Sequence, residues 1–233
     1  MQTVKCIGAT LLAMAFSSMG LADDNPVPTV IGTAYDQQSG HFLYIEQHFC
    51  SADSHLCTVE YRDSFGAIIA QKRLDYSQSL ISPGLVMNDY RQDIEVTVPA
   101  GNRNDTVVDA GFDNYVRSKW DELFSGDAVR FPFLVLGFDK PLKMRADRDE
   151  TPDCGDDKLC LSVSLDSWIL GMLTDPIELS YTRDTRKLAR FSGVSNIKGD
   201  AGEALMVDIH YQYENDILQA LPGQQHDSSE FNF

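Results

Sequence analysis

The stretch at residues 109–136 constrains the fold most, because it reads as one helix running directly into one strand. In DAGFDNYVRSKWDELFSG, the apolar residues Phe112, Tyr115, Val116, Trp120, Leu123 and Phe124 recur at helical spacing. Gly126 stands where a helix ends in a left-handed cap. Directly after it, residues 129–136 carry Phe131, Phe133 and Val135 on one strand face and Leu134 and Leu136 on the other. A strand wet on one side does not read this way, so the pattern predicts a central strand, with Pro132 as the discordant residue.

Almost every other segment reads as strand. Residues 31–35, 41–50, 57–62 and 67–76 are apolar-rich runs separated by Gly, Asp and Ser punctuation, the mark of an antiparallel meander. Leu43, Ile45 and Phe49 share one face, as do Val59 and Tyr61, and Ile94, Val96 and Val98 alternate inward in a strand over 93–99. Residues 77–84 read as a loop broken by Pro83. After the helix, strands are predicted over 138–146, at the alternating Leu159, Leu161, Val163 and Leu165, and over 177–181, 187–193 and 203–213. The last has the clearest period of two, with Leu205, Val207, Ile209, Tyr211 and Tyr213 opposite Asp208, His210 and Gln212. Residues 167–173 (SWILGML) read as a short apolar helix or cap. The expected fold is mainly β, within the α+β class: a single curved antiparallel sheet or half-barrel of about ten or eleven strands, wrapped on one amphipathic helix, plus a short second helix.

The first 22 residues have the form of an export signal: Lys5 as the basic head, an apolar core at 6–16, and Gly20-Leu21-Ala22 before a cleavage point. That leaves one β-rich domain at 23–213 and a polar tail at 214–233, and points to a soluble protein in the periplasm or outside the cell. No run approaches the roughly 18 apolar residues of a membrane-spanning helix, so an integral membrane protein is not expected. The terminal Phe231-Asn232-Phe233 follows a wholly polar stretch and makes no closing barrel strand.

Removal of the signal takes Cys6 and leaves Cys50, Cys57, Cys154 and Cys160, an even set suited to an oxidising compartment. Spacing favours the local pairings Cys50–Cys57 and Cys154–Cys160. His48, Cys50, His55 and Cys57 also form H-x-C-x4-H-x-C, ligand types for zinc or copper, but export favours the cystine. The acidic loop with Asp147, Asp149, Glu150, Asp153, Asp156 and Asp157 has oxygen ligands of the kind calcium takes, without the glycine and closing glutamate of an EF-hand; a solvated loop is the plainer reading.

A net charge of −16 repels phosphate backbones, so nucleic acid is not an expected partner. Catalysis finds no support. Ser195, in Gly193-Val194-Ser195-Asn196-Ile197, lacks the second glycine and following helix of a nucleophile elbow. His48 and His55 flank cysteines, His210 lies on a polar strand face, His226 is in the tail, and His41 stands apart from any partner. A non-enzymatic protein without a cofactor is expected.

The order of elements, together with the run at 176–181 (PIELSY), Arg186-Lys187-Leu188 and the segment 193–197, resembles uncharacterised exported bacterial envelope proteins and, in architecture, the half-barrel lipoprotein carriers of the LolA/LolB kind. That resemblance implies a curved sheet over a helical lid, and the surplus of aromatics on inward faces adds the expectation of an apolar cavity between sheet and helix for a lipid or other apolar small molecule. Trp120, Phe124, Phe131, Phe133, Trp168 and Tyr211 are the candidate cavity-lining residues. The competing expectation is an envelope structural or protein-interaction module with a solid core and an acidic surface.

Overall fold

The computed structural model describes residues 26–101, 103, 105–151, 154–167 and 175–214. The expected export signal, Trp168 with most of the expected short second helix, and the tail from 215 onward lie outside them. The described chain forms one open, curved sheet of 13 strands in the order β6-β5-β4-β3-β2-β1-β13-β12-β11-β10-β9-β8-β7. The strands are β1 (Val30–Asp36), β2 (Phe42–Cys50), β3 (Leu56–Arg62), β4 (Ile68–Asp75), β5 (Gly84–Asp89), β6 (Ile94–Val98), β7 (Val107–Val108), β8 (Val129–Leu134), β9 (Leu142–Asp149), β10 (Lys158–Leu165), β11 (Ile177–Thr182), β12 (Leu188–Lys198) and β13 (Ala204–Tyr213). The first and last strands pair in the middle of the sheet, Val30 opposite Tyr213. Its two edges are therefore β6 and β7, which are neighbours in sequence.

All pairings are antiparallel except β7 with β8. A parallel neighbour needs a crossover, and the helical stretch supplies it. It is two short helices, α1 (Gly111–Ser118) and α2 (Trp120–Ser125), not the single helix expected. The break is at Lys119, whose N–H is shared between the carbonyls of Tyr115 and Val116. Gly126 caps α2 at φ 93°, as its position predicted. The apolar stripe is buried at Tyr115, Val116, Trp120 and Leu123, against Val129, Phe131, Leu161 and Tyr181.

A second cluster lies under β1–β5 and β13 and takes in Leu134 from the end of β8, so residues 131–134 do serve two apolar groups. However, β8 is not a central strand. It is next to the edge, and β7 reaches only Phe133 and Leu134. Pro132, which lacks an N–H, thus sits where no described strand continues the ladder on that side. In β2 the buried residues are Tyr44 and Glu46, whereas Ile45 and Phe49 are half-buried. Strand β12 extends through residues 194–198, beyond its expected end, and β5 and β7 fall where no strand was expected.

Candidate functional site

Polar groups first cross the curved sheet at Asp109, the residue that leaves β7. It has φ 43°, in the left-handed region that Asp tolerates better than most residues, and its side chain turns inward. Lys72 on β4 donates to Oδ2 at 2.6 Å, and Asn196 on β12 donates to Oδ1 at 2.6 Å. Three strands far apart in the sheet order are thereby joined by one carboxylate. Burial opposes the Lys72 charge, but Asp109, through charge and hydrogen bond, together with Tyr61 and Glu46 holds the ammonium protonated well above the usual lysine range. Around this pair stand Tyr61, with Lys72 5.8 Å from its ring centre, and Tyr44, whose hydroxyl is 2.7 Å from Ser195 Oγ. Ser195 Oγ also accepts the N–H of Ile197 at 2.9 Å, so this serine is committed to holding β12. Farther along β2, Glu46 accepts from Tyr211 at 3.2 Å and faces His48 at 3.4 Å.

The crossover is fixed just as closely on its other side. Val108 N–H donates to the Ile81 carbonyl, and Asn114 donates to the Leu80 carbonyl. Gly111 is required here, because a Cβ would lie 2.2 Å from Ile81 O. Loop 77–83, expected only as a connector, is the clamp that seats the start of α1.

A groove of about 470 Å³ opens between the two ends of the sheet. Edge strand β6 contributes Glu95, Val96, Thr97 and Val98 in succession, so residues from both its faces line the groove, and with them the strand's outer backbone edge. The opposite wall is the β8–β9 connection, with Leu134, Val135, Phe138 and Asp139. Two large apolar side chains stay in solvent, Phe138 in the groove at 58% exposure and Ile94 at the start of β6 at 51%. No described strand pairs with the outer side of β6.

Of the residues expected to line an apolar cavity, the five that are described do not line this groove. Phe131 packs 4.8 Å from Tyr115 and 5.2 Å from Phe112, and Phe133 lies 6.2 Å from Phe112. Trp120 meets Tyr181 edge-on at 6.1 Å with the Arg186 guanidinium beside it, and Phe124 is flanked by Arg148 and Arg183. These four belong to the cluster under the helices. Tyr211 packs against the other cluster, at Glu46 and His48, and Trp168 lies outside the described residues. The structure thus brings four of the six into one aromatic group and separates the fifth.

Both disulfides pair as expected, Cys50 with Cys57 and Cys154 with Cys160, which uses up the thiols of the H-x-C-x4-H-x-C motif. Among the described residues no group of three or more His, Cys, Asp or Glu side chains is placed to hold a metal ion. Of the acidic loop, Asp147 and Asp149 belong to β9, Asp147 pairs with Arg145, and Asp153 lies outside the described residues. No described helix is long and apolar enough to cross a membrane.

Neither the groove nor the Asp109 network was read from the sequence. The signal for the groove was present only in part, as the alternation of Ile94, Val96 and Val98 with Glu95 and Thr97; that β6 ends the sheet is a property of the topology. Comparison with protein families, with curated proteins and with solved structures finds no match to this chain.

Proposed function

We propose that the protein is an exported, non-catalytic interaction module that takes an extended segment of a partner protein along β6. The observation that carries this reading is the groove itself: an edge strand with its outer backbone side unpaired faces apolar side chains across about 470 Å³. An open edge offers N–H and C=O groups that only another strand can satisfy in register, and a row of such groups is the usual template for strand addition. Most edges are blunted by charge, proline or a covering loop. The edge at β6 carries Glu95 and ends at Pro99, but Ile94 and Phe138 are left exposed beside it. The closely packed rings beneath α1 and α2 support a solid core, and the two disulfides suit an oxidising compartment.

A second reading, lipid carriage in the manner of the LolA/LolB-like proteins, is favoured by the apolar part of the same groove, Val96, Val98, Leu134, Val135 and Phe138. It leaves the backbone groups of β6 without partners, and so ranks second.

Photo-crosslinking separates the two. A benzoylphenylalanine at Thr97 or Phe138, in the cell that makes the protein, is expected to give an adduct with a protein segment, and the same group at Phe65, 93% exposed on the β3–β4 turn, is not. An equal yield at Phe65, or no adduct at Thr97, would overturn the reading; a lipid adduct at Thr97 would replace it with the second.

A further inference from the structure

We infer that the segment held on β6 is a basic amphipathic strand, with apolar residues facing Val96 and Val98 and lysine or arginine facing Glu95. This rests on the strand-accepting reading of the groove and adds the chemistry of the partner. On β6, Ile94, Val96 and Val98 share the face of Leu85 and Met87, their register partners or neighbours in β5, while Glu95 and Thr97 point the other way beside Asn88 and Val86. A strand paired with β6 continues both faces, because directly opposed residues lie on one side of the sheet. Its inward positions meet apolar side chains. Its outward positions meet Glu95 and Thr97.

The charges around the groove select the sign. Glu95 and Asp139 line it, and neither has an ion-pair partner among the described residues. Its arginine, Arg103, donates to the Pro99 carbonyl at 3.1 Å within the β6–β7 link, so the lining carries two carboxylates against one guanidinium. Asp93, exposed at the head of β6, adds a third carboxylate near the same end. The whole chain carries −16, which repels an acidic segment and a second copy of itself, and draws in a basic one. A neutral strand satisfies the backbone of β6 equally well but leaves Glu95 and Asp139 uncompensated.

Three labelled seven-residue peptides test this on the full chain: alternating Val-Lys, Val-Thr and Val-Glu, measured by fluorescence anisotropy at low and high salt. The expected order is Val-Lys over Val-Thr by at least about fivefold at low ionic strength, with Val-Glu weakest, and the spread narrowing at about 1 M salt, where screening is nearly complete. Glu95→Lys, at an exposed position, is expected to remove the preference for Val-Lys without changing the melting temperature. Equal binding of Val-Lys and Val-Thr, both weakened by Phe138→Asp, would overturn the charge inference and leave the strand-accepting reading standing. Binding by none of the three would overturn both. A salt-dependent dimer that Thr97→Pro abolishes would make a second copy the occupant, and a fatty-acid probe that excludes all three peptides would make it a lipid; each of these overturns the inference.

Discussion

Lys72 Nζ stands 2.6 Å from Asp109 Oδ2, with both side chains buried, and this pair ties β4 to the residue that leaves the opposite edge of the sheet. Removing one partner leaves the other charge buried and alone. Lys72→Met or Asp109→Leu is therefore expected to cost about 3–5 kcal/mol in denaturant unfolding. The double variant should recover much of that loss. If the single variants fall within about 0.5 kcal/mol of the parent, as neutral surface changes do, the pair does not hold the curl.

Gly111 is a second point of closure. Its Cα passes so near loop 77–83 that an added methyl meets the Ile81 carbonyl. Gly111→Ala is expected to destabilise by roughly 1–3 kcal/mol, the range of overpacked sites, although alanine is the better helix former. Gly40→Ala, where a Cβ meets nothing but φ is 71°, serves as the control for backbone strain alone. A stabilised Gly111→Ala would contradict the clamp.

Alkaline stability follows from the buried phenols. Burial, then the charge of Glu46, raises Tyr44 and Tyr211 well above 10.0; burial with Asp113 next does the same to Tyr181. A folded-state pKa above the unfolded one means that the folded protein keeps protons the unfolded chain loses. This stability is complete below about pH 10 and is lost as pH rises beyond it. Spectrophotometric titration is expected to show these tyrosines ionising late and together, in step with loss of circular dichroism. Tyrosines that titrate fully near pH 10 while the fold persists would count against the buried network.

The cystines close small loops, and small loops restrict the unfolded chain least. Replacing Cys50 and Cys57 by serine is expected to lower stability by about 2 kcal/mol, at the lower end for a disulfide. Because Cys50 and Cys57 face each other across the β2–β3 hairpin, the effect should be confined to that hairpin. Hydrogen exchange that quickens across β9–β11 as well would show a wider role.

How much of this was legible in the sequence depends on range. Where one strand buries one face, the alternation was enough: Leu159, Leu161 and Val163 are all buried, as are Val207 and Ile209. The cap at Gly126 and both cystines are likewise local facts. Strand β5 was hidden because its inward row, Leu85, Met87 and Asp89, ends in an aspartate that caps the following turn by accepting from the N–H groups of Arg91 and Gln92. Two-residue β7 is shorter than any periodicity. The break at Lys119 has no proline or glycine to announce it. Lys72 and Asp109 are 37 residues apart, and nothing in either neighbourhood says they meet. Above all, the pairing of the first strand with the last leaves consecutive strands β6 and β7 as the two edges, and this decides where the groove lies.

The most direct test of the strand-accepting groove is hydrogen exchange at the amides of residues 94–98, with and without saturating Val-Lys peptide. No described strand pairs with the outer side of β6, so pairing with the peptide should slow exchange there by about tenfold or more while the turn at Phe65 is unchanged. Binding of the peptide with unaltered exchange across residues 94–98 would contradict the account.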